Sequence, residues 1–277
     1  PPSSTFVVYG SIAGASVGKL FMGGLIPGLL MGIGFAVTAL IYGNKNCNLV
    51  TKEKASGKER WLAFRDAFWG LLMPVIILGG IYGGIFTPTE AAAFSAVYGL
   101  VVGLFVYREL KLKDIRSLFI DSISTSATIM WITANASIFA WVLTVSGIKE
   151  VITTAFTTFT GGSTIIFYII VNIVLLIAGM LLDSTSALYI FTPLFIPVAT
   201  ALGVDLVHLG VVMIVNLAIG LYTPPVGVNL YVACSVSQIS LEKILKPTML
   251  LLFSSLIVLL LVTYIPQISM FLPNMLK

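Results

Sequence analysis

The 277-residue chain is 58% apolar and only 9% charged, with a mean hydropathy of +1.07; soluble domains carry about 25% charged residues, so a water-soluble fold is excluded. Its net charge of +4 forms no basic stripe, which excludes nucleic acid as a partner and leaves the lipid bilayer as the surroundings. Cys47 and Cys234 are too far apart for a metal site or disulfide framework, and no Walker motif or Ser/His/Asp set is present, so the chain reads as no enzyme and as needing no cofactor.

Taken in order, residues 1–18 read as a half-helix entered from a Pro-Pro-Ser-Ser break. Residues 20–42 are long enough to span, since about 20 apolar residues cross the hydrocarbon. A polar loop follows at 43–60, holding Lys45, Lys52, Lys54, Lys58 and Arg60. Residues 61–84 open amphipathic and turn apolar. At the next turn Thr87 is expected to cap a helix, with Pro88 as its first residue and Glu90 as the capping-box partner. Residues 91–107 make a span. Arg108, Lys111, Lys113 and Arg116 then mark an amphipathic arm expected to lie at the membrane interface. A long span is expected at 122–145 and a Thr-rich, weakly amphipathic stretch at 147–162.

Residues 163–182 are apolar and reach Asp183, Ser184, Thr185 and Ser186. The apolar run after them, 187–201, is short and interrupted by Pro193 and Pro197. A polar tip between two such arms reads as a re-entrant hairpin. The lone His208 lies beside a polar turn and reads as structural. Residues 209–240 hold the strongest signal, Gly-Leu-Tyr-Thr-Pro-Pro-Val-Gly at 220–227. Each proline removes a backbone donor and clashes with the preceding turn, so a continuous helix is broken there. Non-helical backbone at lipid depth is tolerated only where it is buried in protein or lines a cavity. A last span is expected at 248–265, after Glu242, Lys243 and Lys246. The chain thus divides into 1–42, 61–146 and 163–277. Because it opens at Pro1-Pro2 without methionine or signal peptide, it is expected to be the C-terminal part of a longer protein.

The fold class expected is an all-α polytopic membrane protein. Twelve of the fifteen basic residues fall in three loops that these spans place on one side, and the positive-inside rule makes that side cytoplasmic. The hairpin then opens outward and the C-terminus lies outside. Pro1-Pro2-Ser3-Ser4 also matches Pro224-Pro225-Val226-Gly227. Each is followed by a tyrosine (Tyr9, Tyr231) and a Ser-x-x-Lys stretch (Ser16 to Lys19, Ser240 to Lys243), with one single-residue gap. In this topology the two half-helices run in opposite directions, as in the inverted repeats of secondary transporters.

Asp183 is the one acid embedded between long apolar runs, and an ionisable residue at depth is a functional hypothesis by default. It can also cap the arm that follows, and one residue can do both. Carbonyls near Asn216 and Gly220 lose helical donors to the prolines. With Ser184, Thr185 and Thr223 they form an oxygen-only set, suited to a hard cation such as Na⁺. Asn229 adds a polar group from the facing half-helix.

Three stretches carry a family likeness: GGIFTPTEAAA at 83–93, GMLLDS at 179–184 and NLAIGLYTPPVGVNL at 216–230. With the opening PPSS and its S-x-G-K-L-F continuation, the chain resembles the large membrane subunit of TRAP (tripartite ATP-independent periplasmic) transporters of bacteria. The resemblance implies an ion-transporter-superfamily fold of elevator type, with two inverted repeats of hairpin and broken helix. It implies Na⁺-driven uptake of an organic acid, C4-dicarboxylate or sialic acid, across the inner membrane. The implied partners are a periplasmic substrate-binding protein and a small four-helix subunit of the Q type, separate or fused upstream. It implies substrate contacts at Ser186, Pro225, Gly227 and Asn229, and at the remnant Pro2, Ser3 and Ser4. By the same likeness 61–145 is static scaffold, and 20–42 and 248–265 move with the transport core. The competing expectation is a scaffold or channel-like component with no coupled ion.

Overall fold

The structure is a computed structural model describing residues 2–46 and 54–275; Cys47 and Lys52 lie outside the described residues. Most of those residues are helical, with no strand among them. Seven helices are long and apolar enough to cross a membrane, and three shorter apolar helices accompany them. The chain is an all-α polytopic membrane protein. Residues 3–46 and 132–275 form one compact unit, and residues 54–131 another.

In the smaller unit, α4 (Gly57–Tyr82) and α5 (Pro88–Val101) pack together. Both start with a full capping box. Ser56 Oγ accepts the Glu59 N–H while the Glu59 carboxylate accepts the Ser56 N–H, and Thr87 and Glu90 repeat the pattern as expected. A π-helical turn, Val102–Val106, extends α5. The basic stretch expected to lie apart as an interfacial arm is instead divided between a turn and the next span. Arg108, with φ 56°, and Lys111 lie in the turn before the next helix, while Lys113 and Arg116 sit in the first turns of α6 (Leu112–Val145), a single helix of 34 residues. At 1.5 Å per residue that helix is about 51 Å long, so its charged first turns reach past a hydrocarbon core of about 30 Å.

The larger unit opens with α1 (Ser4–Ala13), which stops earlier than the expected 18 because Gly14 takes a left-handed conformation, φ 65°. α2 (Val17–Gly23) and α3 (Leu25–Asn46) follow. The later elements are α7 (Ile148–Thr160), α8 (Thr164–Leu181), α9 (Ser184–Ala201), α10 (Leu206–Gly220), α11 (Val228–Ser237), α12 (Leu241–Tyr264) and the short α13 (Pro266–Met270). α9 is longer than its apolar run suggests. It begins at Ser184 under an Asp183 cap and continues through Pro193 and Pro197, reaching 18 residues, the same length as α8. Prolines are tolerated in membrane helices because neighbouring groups satisfy the freed carbonyls. The last span likewise starts earlier than expected, so Glu242, Lys243 and Lys246 ride on the first turns of α12.

α1 and α11 are built alike, each ten residues long, and every landmark is displaced by 224 residues. Ser3 and Gly227 occupy the two N-cap positions. Gly14 and Gln238 are the left-handed C-caps, with φ 65° and 56°. Ser16 and Ser240 then occupy the N-cap positions of α2 and α12. This register needs no gap and sets Tyr9 against Ala233. The two tyrosines matched by sequence are therefore not equivalent. The atoms nearest a Cβ on Gly34 belong to Ser254 and Val258, the latter being its own partner at the same spacing. A residue touching its repeat mate is what a two-fold relation produces. α3 and α12 are packed along each other at this contact.

Candidate functional site

α8 and α10 lie side by side and run in the same direction. The Tyr168 and His208 rings meet at 5.3 Å, Asn172 bonds Asn216, and Gly179 touches Gly220. Side chains are absent from both members of the last pair, and the fit needs that. A Cβ on Gly220 would sit 2.5 Å from the Gly179 Cα, closer than packed atoms approach. The contact brings the two helix ends level, so the chain leaves α8 and α10 at the same place. The Gly227 N–H then points to the Met180 carbonyl across 3.5 Å. The polar tip at 183 and the break at 221–227 are therefore neighbours within one unit.

At the tip, Asp183 is exposed and its Oδ2 accepts the N–H groups of Thr185 (2.9 Å) and Ser186 (3.0 Å). Ser184, Thr185 and Ser186 make the half-buried first turn of α9. Asp183 thus caps the second arm, one of the two roles weighed for it. At the break, Pro224 and Pro225 are joined by a cis peptide bond, and Pro225 is exposed. Gly227 is buried with φ 51°, a conformation that a side chain would strain, and it precedes the first turn of α11. Asn229 is exposed, with its N–H on the Leu221 carbonyl at 2.9 Å.

The turn supplies its own donors to carbonyls that the prolines were expected to strip. The Leu217 carbonyl receives the Leu221 N–H, and the Gly220 carbonyl the Thr223 N–H. The Ile219 carbonyl takes both the Tyr222 N–H and the buried Thr223 hydroxyl, the latter at 2.7 Å. That hydroxyl reaches back into α10 and does not cap α11. Its hydrogen is committed, and its oxygen lone pairs remain to accept. Tyr222 anchors the turn from the other side. Its hydroxyl donates to Ser255 Oγ of α12 at 2.6 Å, and its ring meets Phe35 of α3 edge-on.

Asn216, one turn before Gly220, is fully buried. Its Nδ2 donates to Asn172 Oδ1 at 2.5 Å, while its own Oδ1 has no hydrogen-bond partner. An unsatisfied buried oxygen of this kind costs about 1–3 kcal/mol. From Asn172 the polar line continues to Thr263 Oγ1, and the Thr263 carbonyl meets His208 Nε2 at 3.2 Å. A carbonyl cannot donate, so Nε2 carries the proton. Nδ1 accordingly accepts from Ser269 Oγ at 2.6 Å. His208 ties helices together, as a structural residue does.

Of the amino-terminal trio, Ser3 and Ser4 stand at the start of α1. Ser3 is the N-cap position of α1, its hydroxyl 2.8 Å from that of Thr5. Ser4 and Pro2 are exposed. α1 joins the core further along, where the Tyr9 hydroxyl donates to the Leu206 carbonyl at 2.7 Å and Ile12 lies beside Pro193.

The motifs that meet here have counterparts in known proteins. The family described as "Tripartite ATP-independent periplasmic transporter, DctM component" matches residues 1–268. The chain belongs to this family. Among its relatives, the C4-dicarboxylate TRAP transporter large permease protein DctM of Pseudomonas aeruginosa is 45% identical over 275 residues, covering 99% of this chain and 64% of that protein. The isethionate TRAP transporter permease protein DctMQ of Oleidesulfovibrio alaskensis is 44% identical, covering 98% of this chain and 42% of its own length. The sialic acid TRAP transporter large permease protein SiaM of Vibrio cholerae is 36% identical, covering 99% and 64%. The chain therefore spans under two-thirds of the length of these relatives.

Within this DctM-family chain, sequence reasoning missed Asn172 and Tyr222. Asn172 carried a usable signal, since it is an amide inside the otherwise apolar run of α8. Tyr222 carried none, because its partner Ser255 lies 33 residues away.

Proposed function

We propose that the chain is part of the membrane-embedded large subunit of a TRAP transporter, coupling the Na⁺ gradient to uptake of an organic acid. One observation carries this reading: the tip at Asp183 and the break at 220–227 abut through Gly179 and Gly220. Two helix C-termini, of α8 and α10, and two N-termini, of α9 and α11, converge there. Carbonyl ends favour a cation and N–H ends an anion, the arrangement of broken helices in secondary transporters. Asp183, Ser184, Thr185, Asn216, Gly220 and Thr223 supply the oxygens for Na⁺, and the unpartnered Asn216 Oδ1 is a ligand in waiting. Ser186, Pro225, Gly227 and Asn229 face the substrate carboxylate, with Pro2, Ser3 and Ser4 contributing from the repeat-related α1.

The 224-residue correspondence of α1 with α11 supports an inverted repeat, and with it elevator movement of the unit that holds α8 to α12. Relatives named for C4-dicarboxylates, isethionate and sialic acid support a small organic anion as substrate. A periplasmic binding protein delivers it, and a small Q-type subunit completes the assembly; the DctMQ name of one relative supports that pairing. The charge bias supports a bacterial inner-membrane location with the C-terminus in the periplasm. The test is uptake of labelled succinate, isethionate and N-acetylneuraminate into proteoliposomes holding the full-length subunit with both partners. Uptake of one of them should collapse when the inward Na⁺ gradient is replaced by K⁺. Uptake indifferent to Na⁺ would remove the coupling and leave a passive, channel-like component.

A further inference from the structure

Asn172 is a buried amide halfway along α8, the most apolar of the seven candidate spans. A leucine at that place would carry no desolvation cost, so the amide calls for a reason. Both of its polar atoms are engaged by side chains of other helices. Nδ2 donates to Thr263 Oγ1 of α12 at 3.3 Å, and Oδ1 accepts from Asn216 Nδ2 of α10 at 2.5 Å. Because Asn216 is held by its nitrogen, its oxygen is the atom left over, fully buried and unpartnered.

The same three side chains admit a second arrangement. With both amides turned over, the Thr263 hydroxyl would donate to Asn172 Oδ1, and Asn172 Nδ2 would donate to Asn216 Oδ1. The hydrogen bonds are equal in number. The difference lies in the group left over, which is an oxygen in the first arrangement and an N–H₂ in the second. An oxygen is a ligand for a hard cation, and an N–H₂ is not. Asn172 therefore decides whether Asn216 can bind a cation at all, although it needs no contact with that cation itself.

We propose that Asn172 is a positioning residue for the coupling ion, holding Asn216 by its nitrogen so that its oxygen stays free for Na⁺. The inference rests on the reading of Asn216 as a Na⁺ ligand. Thr263 is the anchor of the line, since it fixes Asn172 from α12. Bound Na⁺ selects the first arrangement, and without Na⁺ the two compete. Ion occupancy is thereby linked to one hydrogen-bond pattern across α8, α10 and α12.

The test follows the melting temperature of the purified full-length subunit as NaCl replaces KCl at constant ionic strength. Na⁺ should raise it in the parent, and the concentration needed for a given rise reads the affinity. Asn172→Leu leaves Asn216 Nδ2 without its acceptor. It should need roughly five times more Na⁺ for the same rise, one orienting hydrogen bond expressed as affinity. Asn172→Asp should restore the parent's requirement, because a carboxyl oxygen still accepts from Asn216 Nδ2. A purely structural Asn172 predicts otherwise: Asn172→Leu would melt lower in both salts, with the same response to Na⁺. Should Asn172→Leu not fold, Thr263→Val decides, since it keeps the shape and removes only the anchor. It should shift the Na⁺ requirement the same way by a smaller factor. An unshifted requirement in the deciding variant, or a shift that Asn172→Asp fails to reverse, would overturn the role of Asn172 and leave Na⁺ binding standing. A parent indifferent to Na⁺ would overturn the ion site, and this inference with it.

Discussion

In the unit of residues 54–131, polar side chains make their hydrogen bonds at exposed positions. Ser56 with Glu59 and Thr87 with Glu90 close capping boxes, and the Tyr98 and Tyr107 hydroxyls bond backbone at Trp69 and Gly70. In the other unit they sit partway along helices. Asn172, Asn216, Thr263 and His208 are buried and bonded to one another across α8, α10 and α12. Their hydrogen bonds join helices 44 to 91 residues apart in sequence, where a cap joins neighbours. Burying polar groups at depth is expensive and is kept where it has a use. The unit with breaks and buried amides is the one that the proposed function gives to transport.

Glycine substitution breaks this comparison most sharply. Gly220→Ala places a methyl group against the Gly179 backbone, with no flexible side chain to yield. It should cost about 1–3 kcal/mol of overpacking and separate the tip from the break. Uptake should be lost at matched expression. In the capped unit Gly79 has open space around its Cβ position. Gly79→Ala should leave uptake intact and raise the melting temperature slightly, since alanine is favoured over glycine in a helix by about 0.5–1 kcal/mol. Equal uptake by the two variants would mean that the glycine contact has no part in transport.

The tip gives the next largest effect. Asp183→Ala removes a cap that two N–H groups use, worth about 1 kcal/mol, and removes a charge. Asp121→Ala, at an exposed position within α6, removes a charge but no cap and should leave uptake as in the parent. Asp183→Asn separates the two roles, because asparagine caps as well as aspartate does. If the charge serves the ion, Asp183→Asn should need more Na⁺ for half-maximal uptake while keeping the parent's melting temperature. If it only caps, that variant should behave as the parent.

Much of this site was legible in the sequence. Two adjacent prolines between glycines leave the backbone few options, and an acid between apolar runs announces itself. Capping boxes are local, so Thr87 and Glu90 were readable too. Helix ends were less so. α9 begins three residues before its apolar run because Asp183 and its cap, not hydrophobicity, set the start. α6 takes in Lys113 and Arg116 because charge alone does not end a helix, while the break before it, at Arg108 with φ 56°, left no sequence signal. The register of the repeat was misread by two residues at Tyr231, since tyrosine is a conspicuous letter but caps define the turn. The Asn172 to Asn216 pair needs two helices in contact, which no local pattern encodes.

Thr223 gives a smaller effect. Thr223→Val keeps the shape and deletes a hydroxyl that donates to the Ile219 carbonyl. One lost hydrogen bond is worth about 1 kcal/mol. If its oxygen also faces Na⁺, half-maximal uptake should need roughly five times more Na⁺, the same energy expressed as affinity. An unchanged titration with a lowered melting temperature would confine Thr223 to holding the turn.

The smallest expected effect is none at all, and it tests the orientation on which the inverted repeat depends. Gly57 opens α4 at an exposed position with open space around its Cβ. Gly57→Cys, with Cys47 and Cys234 replaced by serine, should therefore transport as the parent does. Lys54, Lys58 and Arg60 surround the site, and positive charge collects on the cytoplasmic side. A membrane-impermeant maleimide added to intact cells should leave the new thiol unlabelled, and added to inverted vesicles should label it. Labelling from outside would turn the whole topology over. The contrast between exposed and buried polar groups would survive, because it does not depend on which face is which. What would fall is the placement of the C-terminus in the periplasm and of the hairpin opening toward the binding protein.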